Sequence, residues 1–196
     1  MRILATVIVL IFSLQSFTKA DDISDFEIEG MSIGDSALDY FNEEELIKRK
    51  EYYRGTDSKI FYMTSISSSK FKTYDNIMFH FKDNDSSFII HGISAAIWFS
   101  ENGIRNVDDC LVERNKIDKE LIQLFKNLER QVNDNNIHDG DETGKSITHN
   151  INYWFKENHH AGTSCYVLSK EFGASHLKVM VNSSELVDWV NNVVYK

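Results

Sequence analysis

Between residues 60 and 181 the chain alternates short β-patterned runs with turns, and only the central connection is long enough for the crossover that parallel strands require. That alternation restricts the chain to an antiparallel layout. Strand patterns fall at 60–66, 77–82 and 88–99, and again at 147–155, 163–168 and 177–181. In the second of these, Ile77, Phe79 and Phe81 share one side while Met78, His80 and Lys82 share the other, the period of two that marks a half-buried strand. Residues 83–86, Asp-Asn-Asp-Ser, have the composition of a hairpin turn, and Gly92 interrupts the third run where a bulge or bend is expected.

The central connection carries apolar residues at three-and-four spacing: Val107, Cys110, Leu111, Ile117, Leu121, Leu124, Phe125 and Leu128. Asn106 or Asp108 caps this helix, and the Asp108-Asp109 pair is explained by its dipole. An earlier helical stretch opens at Ala37 and resumes over 43–53, where Asn42 is a cap and Glu43, Glu44 and Glu45 face the positive helix end. Ser183 or Ser184 caps a last helix whose inward stripe is Leu186, Trp189, Val190 and Val193. Residues 133–146 are polar and read as a loop. The order predicts an α+β fold: an antiparallel meander sheet, or two, with helices on one face. The chain divides into two similar halves, 30–100 and 106–196, each read as helix-strand-strand-strand.

Residues 1–20 have the pattern of a cleavable leader. One early cation precedes 12 almost wholly apolar residues at 3–14, too few to span a bilayer that needs ~20 helical residues. Thr18 and Ala20 are small residues suited to the minus-three and minus-one positions of signal peptidase, so the mature chain is expected to begin at Asp21. A periplasmic or secreted protein follows, with 21–196 as a single domain and no stable membrane insertion. Removing Arg2 and Lys19 leaves 19 basic against 30 acidic side chains, a formal charge of −11. Such a surface repels nucleic acid and anionic headgroups unless a basic patch offsets it. The densest basic run, Lys48-Arg49-Lys50, follows Glu43-Glu44-Glu45 at a spacing that pairs charges along a helix, so no nucleic-acid partner is expected. In the oxidising compartment Cys110 and Cys165, the only cysteines, are expected to form a disulfide where helix packs on sheet.

At Glu29-Gly30-Met31-Ser32-Ile33-Gly34-Asp35-Ser36, followed by Leu38-Asp39-Tyr40-Phe41, the chain resembles an uncharacterised family of short secreted bacterial proteins. The resemblance extends through Phe71-Lys72-Thr73-Tyr74-Asp75, the cysteine-bearing helix and Gly144-Lys145-Ser146, and it implies no activity. The glycine-serine turn before two short helices and a meander is also similar to the periplasmic fold of outer-membrane assembly lipoproteins and β-lactamase inhibitor proteins. That likeness implies binding rather than chemistry. Asp21 stands where a lipoprotein would carry its anchoring cysteine, a departure from the assembly lipoproteins.

Four patterns bear on chemistry. His149, His159 and His160 form the best metal candidate, because a hairpin could bring strand and turn together; adjacent histidines in a strand, however, point apart. Residues 139–144, Asp-Gly-Asp-Glu-Thr-Gly, match the opening of a calcium loop, but the twelfth place is Asn150 where a bidentate acid is needed. Residues 140–146 approach a phosphate loop and miss it by one residue between the glycines. The serines, such as Ser67-Ser68-Ser69, lie in turns or caps, with no G-x-S-x-G elbow. The expectation is therefore a non-catalytic binding domain without a cofactor, its partner an unidentified protein or small molecule. It binds through the sheet face or a groove beside the turn formed by Gly30, Ser32, Gly34, Asp35 and Ser36. Exposed aromatics among Phe61, Tyr62, Tyr74, Trp98, Tyr153 and Trp154 would mark the surface. The rival expectation is a metal-binding protein or metal-dependent hydrolase built on the three histidines.

Overall fold

The computed structural model describes residue 23 and residues 26–125, 128–138 and 140–196. The leader and the Asp21 junction lie outside the described residues. Eight strands form one sheet: β1 (Lys50–Tyr52), β2 (Phe61–Ile66), β3 (Asn76–Lys82), β4 (Gly92–Trp98), β5 (Glu129–Ile137), β6 (Ile147–Trp154), β7 (His160–Val167) and β8 (His176–Asn182). Their spatial order is β1-β2-β3-β4-β8-β7-β6-β5, and every neighbouring pair is antiparallel. Two four-stranded meanders therefore meet last strand to last strand, and the α+β meander expected from the sequence is the observed fold.

Each meander gains a strand that the sequence conceals. β1 occupies the end of the stretch read as helix: α1 (Glu43–Ile47) is only five residues long, started by a reciprocal capping box between Asn42 and Glu45. β5 occupies the start of the segment read as loop, and all nine of its residues are exposed, so no buried alternation betrays it. It bulges between Asn133 and Asn136, with Asn135 at a φ of 58°, a device that blunts an open sheet edge.

The long helix, α2 (Val107–Leu124), is capped by the Asn106 side chain, which accepts from the Asp109 N–H at 3.0 Å. It lies across the face that carries Ile77, Phe79 and Phe81 from β3, Ile93 and Ala95 from β4, Val179 and Val181 from β8, and Ile151 and Tyr153 from β6, all essentially inaccessible. The Cys110–Cys165 disulfide bolts α2 to β7 on this side. α1 sits on the same face, where Thr64 Oγ1 donates to the Leu46 carbonyl at 2.8 Å. The last helix, α3 (Ser184–Trp189), capped by Ser183, crosses to the opposite face. There its Leu186 and Trp189 pack on Phe61 of β2, and Leu186 lies so close to Gly92 that a Cβ would stand 2.6 Å from it. That approach gives Gly92 a packing role beyond the bend expected of it.

Candidate functional site

The Gly30–Ser36 turn is occupied by the fold. The Gly34 N–H donates to the Ile90 carbonyl and the Ile90 N–H to the Asp35 carbonyl, so the turn pairs with the segment leading into β4. Ser36 Oγ donates to the Ser87 carbonyl at 2.6 Å, and one Asp35 carboxylate oxygen takes the Ser32 N–H and the Tyr40 hydroxyl. Burial and that carboxylate push the Tyr40 hydroxyl up to about 12. Gly30 and Gly34 hold φ values of 78° and 93°, which glycine adopts without strain. The polar groups of this turn are thus directed to holding the chain against the sheet.

The three histidines of the metal expectation are not brought together. His149 points to the helix-covered face, where its Nδ1 lies 3.4 Å from Asp134 Oδ1 and accepts from the Asn135 N–H. His160, on the other face, donates from Nε2 to Asn152 Oδ1 at 3.0 Å and accepts at Nδ1 from Asn182 Nδ2. Burial, reinforced by Lys178, lowers its pKa to about 4, so it is neutral and both ring nitrogens are engaged. His159 Nδ1 accepts from the Ser184 N–H at the start of α3. The alternation of side chains along β6 and β7, and the turn that precedes β7, separate the rings. Among the described residues no group of three or more His, Cys, Asp or Glu could hold a metal ion. Asp139 lies outside the described residues. Asp141 in the same loop turns both oxygens onto its own chain, taking the Thr143 N–H and hydroxyl and the Ser146 N–H and hydroxyl; these bonds hold it at about 2.

Two polar clusters escaped the sequence reading. Beneath α2, Asp118 receives a two-pronged Arg130 fork at 2.8 and 2.7 Å and the Tyr153 hydroxyl at 2.6 Å. Burial alone would raise this carboxyl, but the fork and hydroxyl outweigh it and hold it low. Arg114 reaches Asp134 at 2.5 Å. Both ion pairs fasten the exposed β5 strand to α2. On the other face, Ser183 Oγ lies 3.4 Å from His91 Nδ1, and Glu185 approaches the same nitrogen at 3.8 Å. A relay needs hydroxyl and acid on opposite ring nitrogens, and Ser183 already caps α3, so this contact is no nucleophile-base pair.

What remains is the face opposite α2. Strand register arranges it in cross-strand rows: Met78-Ser94-Met180-Gly162-Asn152; Asn76-Ala96-Lys178-Ser164-Asn150; and Trp98-His176-Tyr166-Thr148. Apart from α3 at one end, no helix among the described residues covers these rows. The third row is an aromatic rim: the Tyr166 and His176 rings stack 4.7 Å apart with planes 6° from parallel, and Trp98 stands edge-on to His176 at 5.1 Å. His138 and Phe172 extend the rim beyond Tyr166. Trp98 and Trp154 are the aromatics from the sequence list on this face that reach solvent; Phe61, Tyr62 and Tyr153 are buried. The best-formed depressions, lined by Glu43, Glu44, Ile47 and Lys48 and by Phe99, Ser100, Glu101 and Arg105, are shallow and hold no convergent catalytic groups. No family model, curated protein or solved structure matches this chain.

Proposed function

We propose that this is an exported, non-catalytic binding domain, periplasmic or secreted, whose working surface is the uncovered face of the sheet. The observation that carries the reading is the asymmetry of the sheet. One face is sealed by α2, α1 and residues 26–41 over Phe, Ile and Val; the other carries amides, hydroxyls, small residues, two methionines and a stacked aromatic rim, with α3 over one end alone among the described helices. Small side chains in the middle rows and aromatics along the border suit the docking of another surface, where aromatics supply contact area at low entropic cost. The leader-like residues 1–20 and the disulfide support an extracytoplasmic setting.

Site-specific photo-cross-linking in the producing cells tests this. With a benzophenone amino acid replacing Trp98 on the open face, a discrete adduct is expected. The same group replacing Val112, 55% exposed on the outer side of α2, should give none. Equal adducts from both positions, or none from position 98, would overturn the assignment. N-terminal sequencing of the exported protein should begin at Asp21.

A further inference from the structure

Among the described Lys and Arg residues, four are withdrawn from full exposure: Lys50, Lys82, Arg114 and Lys178. Three have a carboxylate partner: Asp83 for Lys50, Glu185 for Lys82, and Asp134 for Arg114. Lys178 has none. It sits on β8, a central strand, in the middle row of the open face, and its ammonium leans over the Tyr166 ring at 5.4 Å from the centroid. In a protein with a formal charge of −9, a half-buried cation on a central strand without a counter-ion is an exception to the rule followed by the other three. Its cross-strand neighbour, Ser164, is a second exception: 1% exposed, on the same face, with an Oγ that has no hydrogen-bond partner. Asn150 stands next in the row. The nearest ionisable groups on this face, His80, His160 and His176, could only add positive charge, and burial keeps all three neutral.

We infer that Lys178 is the anchor for an aspartate or glutamate side chain of a protein partner, received between Lys178, Ser164 and Asn150 and bordered by the Tyr166-His176-Trp98 rim. This deepens the proposed function and rests on it. Three observations select this occupant. A carboxylate supplies the charge that Lys178 lacks and an acceptor for the unpartnered Ser164 hydroxyl. The face is broad and shallow: five strands, each ~4.8 Å wide, and three rows, each ~6.6 Å deep, give on the order of 500 Å², suited to a small, transient protein contact rather than to an enclosed ligand. A membrane or nucleic acid would bring many anions against a strongly acidic protein, whereas a single carboxylate on a partner does not.

The test uses the disulfide-intact protein, with side-chain and amide NMR as readout. An amidated Ac-(Gly-Glu)4 peptide should shift Lys178, Ser164, Asn150 and Tyr166, and an Ac-(Gly-Lys)4 peptide should not. Lys178→Met, which keeps the aliphatic stem, should weaken the acidic peptide about tenfold or more, the scale of one charge-assisted contact, while Lys178→Arg retains it. In cells, Lys178→Met should lower the yield of the position-98 adduct. Equal shifts from the two peptides, equal shifts from inorganic phosphate at the same concentration, or an unchanged titration in Lys178→Met would overturn the carboxylate anchor. If the position-98 adduct persists at full yield in Lys178→Met, the anchor fails while the open-face assignment stands; if wild type gives no adduct at all, the open-face assignment fails.

Discussion

The two faces of the sheet are built from the same eight strands by alternate residues, yet they solve opposite problems. On β3, Phe79 is wholly buried beneath Phe41 and the main core, while Met78, one residue earlier, stands half-buried on the face that carries α3 at one end only. On β8, Val179 belongs to the core and Lys178 to the open row. A period of two thus lets one strand serve stability and recognition with little interference, because adjacent positions do not share neighbours. The comparison breaks if substitutions on the open face unfold the protein, and it sharpens if each face can be altered with its own signature.

The largest difference is expected on β3 itself. Phe79→Ala removes a side chain at the centre of the main core, where it packs edge-on to Phe41 at 5.5 Å and beside Phe81, and should cost about 3–5 kcal/mol in urea denaturation. Met78→Ala, with one side open to solvent, should cost about 1 kcal/mol or less. Comparable losses at the two positions would mean that something packs over the open face.

Acid should separate the faces next, because the three histidines held neutral by burial, His80, His160 and His176, lie on the open side. Burial, with Lys178 adding to it, lowers His80 to about 3 and His160 to about 4, while burial lowers His176 to about 4, against 6.5 for an exposed imidazole. The folded values lie below the unfolded one, so between pH 6.5 and 4 the unfolded chain takes up protons that the folded chain refuses. Stability is therefore complete above pH 6.5 and falls as the pH drops toward 4, with His80 alone contributing on the order of 3 kcal/mol. His80 Nδ1 lies 2.5 Å from the Tyr53 hydroxyl, a neutral partner that supplies no charge to hold a proton on the ring. His80→Gln should flatten the slope of unfolding free energy between pH 6 and 4.5 by about 1.4 kcal/mol per pH unit, the value of one proton. A slope identical to wild type would place the acid-sensitive group elsewhere.

The sequence revealed the covered face far better than the open one, for a physical reason. Ile77, Phe79 and Phe81 declare their strand because burial demands apolar side chains at every second place. Asn106, Asn42 and Ser183 declare their helices because free backbone N–H groups demand acceptors. β5 makes no such demand: Glu129 through Ile137 are exposed on both sides and held to α2 by Arg130–Asp118 and Asp134–Arg114, contacts across folded distances that no local spacing encodes. β1 is masked because Lys50 and Glu51 continue the acid-then-base pattern of α1. The composition of the Gly30–Ser36 turn reads as a binding loop, whereas its hydrogen bonds are shared between Ser32, Asp35 and Tyr40 nearby and residues 87–90 far along the chain. The row Ala96-Lys178-Ser164-Asn150 combines residues from four strands and exists only once the register is known.

The smallest expected effect is the most telling for the open face. Lys178 makes no ion pair among the described residues, so Lys178→Met removes no intramolecular partner and replaces a half-buried ammonium by an apolar tip of similar length. Its unfolding free energy should stay within about 0.5 kcal/mol of wild type, and relief of desolvation would move it upward. Lys50→Met provides the contrast. Lys50 bonds to Asp83 and lies over the Tyr62 ring at 4.2 Å, while Asp83 also takes the Tyr52 hydroxyl at 3.0 Å. Losing that cation leaves a partly buried carboxylate short of a partner and should cost about 1–2 kcal/mol, an amount that shrinks in high salt. Parallel denaturation of the two variants therefore asks whether a lysine withdrawn from solvent is held by the fold or by something outside it. A destabilised Lys178→Met would return that side chain to the structural class of Lys50 and remove the reason to seek its counter-ion on another molecule.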